Sequence, residues 1–373
     1  MNKKILFLTG TRADFGKLKS LIHKVEESDQ LESHIFVTGM HMMAKYGMTA
    51  IEVEKSGFKS IYKYINQNNY DSMDVILSKT IQGLSDYVKE LEPDMIVVHG
   101  DRVEAMAGAI VGALNNILVS HIEGGEVSGT IDELIRHSVS KMSHLHFVSN
   151  ERAKQRLIQL GEAETCVHVI GSPDLDIMTS PNLPTLKEVK QRYEIDFDEY
   201  AVFMYHPVTT DVQNLPVNIK ETVDALIESG QNYVVIFPNN DHGSEIIINE
   251  LARLYNNSKF RVFPSLRFEC FLTLLKNTKF MIGNSSAGVR EIPFYGLPSI
   301  NLGNRQENRA NAESIFNIEE KKEIILNTIN KALLSSFEAR KEFGDGNSDV
   351  LFSMALGSED IWATKKQKLF VDI

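Results

Sequence analysis

Residues 121 to 132 read His121-Ile122-Glu123-Gly124-Gly125-Glu126-Val127-Ser128-Gly129-Thr130-Ile131-Asp132, three carboxylates and an imidazole around a glycine-rich turn that follows an apolar run. A second apolar run ends in Val97-Val98-His99-Gly100-Asp101-Arg102. Two neighbouring strands would thus each deliver a carboxylate, Asp101 and Glu123, at their carboxyl ends. Open parallel sheets bind ligands at that edge. Clustered carboxylates can divide acid and base roles between them, so acid/base chemistry on a small polar substrate is the expectation. Asp132 has a competing structural reading, because Thr130-Ile131-Asp132-Glu133 fits a capping box and acids favour a first helical turn.

Other segments have the form of an anion site. Gly10-Thr11-Arg12-Ala13-Asp14-Phe15-Gly16-Lys17-Leu18 looks like a Walker loop, but it has one residue too many between the glycines and Leu18 where Ser or Thr is needed. A Walker site is rejected. A strand, a glycine turn and a helix start can still receive an anion, and Arg12 would add a fork-shaped cation; a solvated surface arginine is the alternative. Phe280-Met281-Ile282-Gly283-Asn284-Ser285-Ser286-Ala287-Gly288-Val289-Arg290-Glu291 reads as a strand, a small polar turn and then a helix. Ser285 and Ser286 could donate to a diphosphate, with N-capping as the plainer reading. Glu291, about a turn and a half into that helix, could accept from both hydroxyls of a ribose. His206 and Asn239 each end an apolar run, and two polar strand ends facing the same cleft leave His206 evenly weighed between a structural and a ligand role.

The elements that must position these residues alternate in the manner of parallel βαβ units. Strands are expected at Ile5 to Thr9, His34 to Thr38, Met95 to His99, Ile117 to Ile122, Leu145 to Val148 and Val167 to Ile170. Helices are expected at Lys17 to Glu27, Val75 to Leu91, Glu104 to Leu114, Ile131 to Met142 and Arg152 to Leu160. Ser180-Pro181-Asn182-Leu183-Pro184 reads as a linker. A second series follows at Ala201 to Tyr205, Tyr233 to Phe237, Phe260 to Phe263, Phe280 to Ile282 and Ser299 to Leu302. The expected organisation is therefore a doubly wound N-terminal domain over residues 1–178, a second over 185–349, and an interdomain cleft. A C-terminal helix within 350–373, near Val350 to Lys368 and carrying Trp362, is expected to pack back on the first domain.

Composition narrows the function. The chain has 373 residues, 43% hydrophobic and 24% charged, and a formal charge of −11. An acidic balance argues against nucleic acid, whose binding rests on clustered Lys and Arg. No apolar run approaches the roughly 20 residues that span a bilayer, and the start Met1-Asn2-Lys3-Lys4-Ile5-Leu6 passes into a strand pattern rather than a signal peptide. A cytosolic protein is expected. Cys166 and Cys270 lack metal-ligand spacing and read as buried thiols.

Taken in order, Thr9-Gly10-Thr11-Arg12-Ala13-Asp14, Thr38-Gly39-Met40-His41, His99-Gly100-Asp101-Arg102, the stretch from His121 to His137, Gly171-Ser172-Pro173, His206-Pro207, Gly283-Asn284-Ser285-Ser286 and Asn301-Leu302-Gly303-Asn304-Arg305-Gln306 span nearly the whole chain. This ordered set resembles the hydrolysing UDP-N-acetylhexosamine 2-epimerases of nonulosonic (sialic-type) acid biosynthesis, including the epimerase half of the animal bifunctional enzyme. The resemblance implies an α/β, GT-B-like fold of two Rossmann-like domains with UDP in the cleft, and no required metal or nicotinamide cofactor. It assigns acid/base work to Asp101, Glu123 and Asp132, with His41 and Arg102 nearby. It matches Arg12, His206, Asn239, Ser285, Ser286, Glu291 and Arg305 to positions that hold UDP.

The implied reaction is elimination of UDP from UDP-N-acetylglucosamine to a 2-acetamidoglucal, followed by hydration to N-acetylmannosamine. The partners are then the UDP-sugar and UDP; a homo-oligomer, dimer or tetramer, stays open. The legionaminic acid branch uses the same motifs on UDP-2,4-diacetamido-2,4,6-trideoxy-glucose, and Phe263-Pro264-Ser265-Leu266-Arg267-Phe268 is similar to that branch. Two other classes share such a cleft: a UDP-sugar-dependent glycosyltransferase that needs an acceptor, and a nucleotide-sugar-binding regulator.

Overall fold

The computed structural model describes residues 2–128, 131–306 and 312–371. The chain divides into two compact units. The first holds residues up to 126, 132–180 and the C-terminal part from Phe343; the second holds 181–342 with the short stretch 127–131.

In the first unit the strands are β1 (Lys3–Thr9), β2 (Leu31–Val37), β3 (Ile61–Lys63), β4 (Met95–His99), β5 (Leu118–Ile122), β6 (Leu145–Val148) and β7 (Val167–Val169). They alternate with helices α1 (Arg12–Glu26), α2 (Ala50–Glu54), α3 (Met73–Leu91), α4 (Val103–Leu114), α5 (Ile131–Met142), α6 (Glu151–Gln159) and α7 (Pro173–Met178). All seven strands pair in parallel, in the order β3-β2-β1-β4-β5-β6-β7. Strand order reverses at β1 and β4, so the loops after these strands open the crevice where such sheets take ligands. The central strands are buried throughout, as Met95-Ile96-Val97-Val98 in β4 illustrates, because crossover helices cover both faces of a parallel sheet.

The second unit repeats the plan with α8 (Leu186–Tyr193), β8 (Ala201–Met204), α9 (Leu215–Ser229), β9 (Tyr233–Ile236), α10 (Ser244–Leu251), β10 (Phe260–Phe263), α11 (Phe268–Lys276), β11 (Met281–Gly283), α12 (Glu291–Phe294), β12 (Ser299–Leu302), β13 (Ile315–Ile318) and α13 (Lys322–Leu333). Its six parallel strands run β10-β9-β8-β11-β12-β13, with the switch between β8 and β11. Gly283 makes that pairing: its φ is +137°, and a Cβ there would stand 1.9 Å from the Met204 carbonyl oxygen. Only glycine lets the two backbones approach so closely.

The chain then returns to the first unit as α14 (Ser348–Leu356) and α15 (Glu359–Trp362). Asp176 in α7 takes the opening amides of α14, from Ser348 at 2.8 Å and Asp349 at 3.0 Å. Phe352 packs edge-on against Phe147, ring centroids 4.8 Å apart.

The structure corrects four readings. Strands β3 and β13 were not expected; each is a short sheet edge with exposed positions, so neither shows the apolar run of a central strand. The single C-terminal helix is two short ones, broken where Gly357 ends α14 and the Ser358 side chain caps α15, and no helix continues from Trp362 to Lys368. The segment after Ser285 is a 3₁₀ turn, Ser286–Gly288, and then α12, so Glu291 opens a helix instead of lying inside one. Pro293 explains the break, since its ring cannot follow the carbonyl of Val289 in a continuous helix. Cys270 is buried, but Cys166 is only half-buried. Among the described residues no helix is long and apolar enough to cross a membrane.

Candidate active site

In the first unit the site begins at the carboxyl ends of β4 and β5, which are hydrogen-bonded neighbours with His99 beside Ile122. Glu123 directly follows β5, and Asp101 follows β4 after Gly100. Glu123 is buried and adopts a left-handed backbone, φ +64°, a conformation that costs a non-glycine residue free energy and recurs at functional sites. The turn behind it needs glycine as well: at Gly125, φ +75°, a Cβ would lie 2.2 Å from the Ala153 carbonyl oxygen.

Arg136, one turn into α5 from Asp132 and only 2% exposed, connects the two strand ends. Its guanidinium pairs with Asp101, reaches the Glu123 carbonyl at 3.4 Å and pairs with Glu126 at 3.3 Å. A planar fork suits this sharing between carboxylates.

The Glu123 carboxylate accepts from the Ser172 hydroxyl and has Lys17 Nζ at 3.5 Å and His99 Nε2 at 3.1 Å. Lys17 also pairs with the buried Asp174 at 3.2 Å. A lysine whose side chain is 10% exposed is uncommon without such partners. Sequence reasoning missed Lys17, His99, Asp174 and Arg136 as site residues. Lys17 and His99 lay inside quoted motifs but carried no spacing signal, because their partners stand far away in the chain. Ser172 had a signal in the Gly171-Ser172-Pro173 motif.

Asp132 lies in the first turn of α5, half-buried, on the helix that carries Arg136. Residues four apart share a helical face. The capping box proposed for Thr130 falls outside the described residues.

Arg12 is the first residue of α1, behind a capping box in which Thr11 accepts from the Asp14 amide at 3.2 Å and Asp14 accepts from the Thr11 amide at 3.1 Å. Its guanidinium stands 3.9 Å from Glu52. His41 is fully buried, with Nε2 3.0 Å from the Thr9 hydroxyl and Nδ1 2.7 Å from that of Thr49. Burial pushes its imidazole down to about 4, which makes it a neutral member of the scaffold under the Arg12 loop. His121 is likewise buried, bonded to the Gly100 carbonyl at 2.8 Å and to Ser140 at 3.0 Å, and pushed down by burial to about 3. It fixes the β4 loop that bears Asp101.

In the second unit Asn284, fully buried, is a hub that sequence reasoning did not single out. It accepts from the His206 amide at 2.6 Å, donates to the His206 carbonyl at 2.8 Å, and its own carbonyl takes Arg305 at 3.3 Å and Gln306 at 3.0 Å. The Asn239 amide donates to His206 Nδ1 at 3.1 Å. His206, Asn239 and Arg305 are thereby brought together at the β8/β11 switch. Ser285 accepts from the Ala287 amide at 3.4 Å, a weak N-cap; Ser286 is half-buried and Glu291 buried.

Comparison with known proteins agrees with this fold. The profile of the family described as UDP-N-acetylglucosamine 2-epimerase matches residues 23–357. The chain is 48% identical, over 100% of its length and 99% of the relative's, to a UDP-N-acetylglucosamine 2-epimerase of Neisseria meningitidis serogroup B. It is 32% identical to the hydrolysing UDP-N,N'-diacetylbacillosamine 2-epimerase of Legionella pneumophila, over 93% of this chain and 94% of that one. In fold it is similar to the UDP-GlcNAc 2-epimerase of Methanocaldococcus jannaschii, with a TM-score of 0.80 over 95% of this chain and 99% of that one at 22% identity. Two Rossmann-like sheets of the GT-B-like kind, each with polar groups gathered at its switch point, and a match over most of the sequence lead to one assignment: the chain belongs to the UDP-N-acetylglucosamine 2-epimerase family.

Proposed function

We propose that the protein is a hydrolysing epimerase that converts UDP-N-acetylglucosamine and water into UDP and N-acetylmannosamine, serving the making of sialic-type acids. The observation that carries this reading is the pair Asp101 and Glu123 at the ends of adjacent parallel strands, joined through Arg136. In the first half-reaction the C1–O bond breaks, its electron pair leaves with UDP, and a carboxylate takes the C2 proton. The product is a 2-acetamidoglucal. Positive charge growing on the ring makes that weakly acidic proton removable by a carboxylate at C2. In the second half-reaction water adds at C1 and a carboxylic acid delivers a proton to C2 from the opposite face.

Asp101, Glu123 and Asp132 are proposed as the acid/base groups. Lys17 and Arg136 hold two of them, and Arg12, Arg102, His206, Asn239, Ser285, Ser286, Glu291 and Arg305 are proposed to bind the UDP moiety. Cationic and N–H groups around a diphosphate stabilise the departing charge. The 48% identity to an enzyme named for UDP-N-acetylglucosamine, against 32% to the diacetylbacillosamine enzyme, favours the first as substrate.

The test is NMR of purified protein with UDP-N-acetylglucosamine and with UDP-2,4-diacetamido-2,4,6-trideoxy-glucose in separate tubes, without acceptor. Free N-acetylmannosamine and UDP from the first is the expected result. Turnover of the second alone would reassign the substrate, and absence of free sugar in both would favour a glycosyltransferase or a regulator.

A further inference from the structure

Glu104, in the first turn of α4, is a buried carboxylate for which the reaction above has no use. It is 2% exposed. Its Oε2 accepts from Arg102 Nε at 3.2 Å, whereas Oε1 is buried with no hydrogen-bond partner among the described residues. Two backbones press on it. A Cβ on Gly10 would lie 2.9 Å from Glu104 Cδ, and one on Gly39 would lie 2.7 Å from Oε1. The loop bearing Arg12, the loop bearing His41 and the β4 loop bearing Arg102 therefore all abut one side chain.

Stability does not account for this arrangement. A buried carboxylate with one oxygen unsatisfied is worse for the fold than an apolar side chain of the same shape. Arg102, by contrast, has a side chain 20% exposed, which keeps its guanidinium in reach of water. What the contact supplies is direction. Anchoring Nε fixes the plane of a guanidinium whose remaining donors sit on its two terminal nitrogens, and a fork held in one plane loses less freedom when it grips an anion.

We propose that Glu104 is a positioning residue that acts through Arg102, holding its guanidinium in the orientation that binds the diphosphate of UDP. This rests on the reading of the site given under Proposed function.

The test is a double-mutant cycle on the full-length protein, with UDP affinity read by titration calorimetry and wild-type turnover of UDP-N-acetylglucosamine read on the same preparation. Glu104→Gln should raise the UDP dissociation constant about 10-fold, as expected when a charge-assisted hydrogen bond is lost. Arg102→Met should raise it at least as much, and the double variant should match Arg102→Met within about twofold. The melting temperature of Glu104→Gln should not fall, since the buried charge is removed. Should that variant fail to fold, Glu104→Met takes its place in the cycle, and loss of folding in both makes Glu104 structural and overturns the proposal. Unchanged UDP affinity in Glu104→Gln, or effects that multiply in the double variant, overturns it as well. Wild-type protein that binds UDP but releases none from the sugar nucleotide would sink the epimerase reading alone, with the binding cycle still deciding the role of Glu104.

Discussion

At the scale of single residues, position alone does not separate catalysis from capping at Asp132. It stands in the first turn of α5, where an acid also interacts well with the helix dipole. Asn is as good a helix-start residue, so Asp132→Asn should leave the melting temperature nearly unchanged while turnover falls about 100-fold or more. Lower stability with normal turnover of the folded fraction would make the residue a cap. The buried imidazoles give a second prediction. His41 and His121 are pushed down by burial to about 4 and about 3, so between these values and about 6.5 the unfolded chain binds protons that the folded chain refuses. Their contribution is therefore fully present above about pH 6.5 and is lost as pH falls. Each should add about 1.4 kcal/mol per pH unit to the slope of stability between roughly pH 4.5 and 6. Urea titrations across that range should show the slope of His41→Gln lower by about one proton. An unchanged slope would mean that His41 titrates in the folded protein.

At the scale of elements, Arg136 is the tie between β4, β5 and α5. Arg136→Met would keep the packing of a long side chain but take the cation from Glu126, whose side chain is 4% exposed, and release Asp101, whose side chain is 24% exposed. A broken buried pair typically costs about 3 to 5 kcal/mol. The lower end, about 3 kcal/mol, is expected here, because Asp101 can regain water and Glu126 keeps the Ser149 hydroxyl at 2.9 Å. Chemical denaturation would measure it, and a loss below about 1 kcal/mol would mean that the fork adds little beyond a surface pair. These ties also mark where sequence reasoning stopped. The strand ends were legible because a buried parallel strand is a continuous apolar run and its last polar residue stands out, as Asp101 and Glu123 do. Edge strands such as Ile61-Tyr62-Lys63 have no such run. Nothing in the sequence marked Arg136 or Lys17, because the carboxylates that pair with them, Glu126, Glu123 and Asp174, lie outside their own helices and leave no periodic trace around either residue.

At the scale of the whole molecule, the reaction demands that the sugar lose its C2 hydrogen before water enters, and this order can be read from the product. In D2O, N-acetylmannosamine formed early should carry deuterium at C2, and in 18O-labelled water its C1 hydroxyl should carry the label. Simple hydrolysis would label C1 and leave C2 untouched, and a glycosyltransferase would form no product without acceptor. Asp101→Asn and Glu123→Gln should each suppress turnover about 100-fold or more, as expected for removal of an acid/base group. They need not suppress the same half-reaction. Asp101 is a quarter exposed and gripped by one guanidinium, whereas Glu123 is buried among Lys17, His99 and Ser172, so the two carboxylates differ in access to water and in proton-bearing neighbours. If hydration is slowed more than elimination in one variant, 2-acetamidoglucal should accumulate there and be seen by NMR, naming that residue as the acid of the second step. Product with inverted C2 that retains its original hydrogen would contradict two carboxylates acting on opposite faces, and a single group returning its own proton would have to replace them.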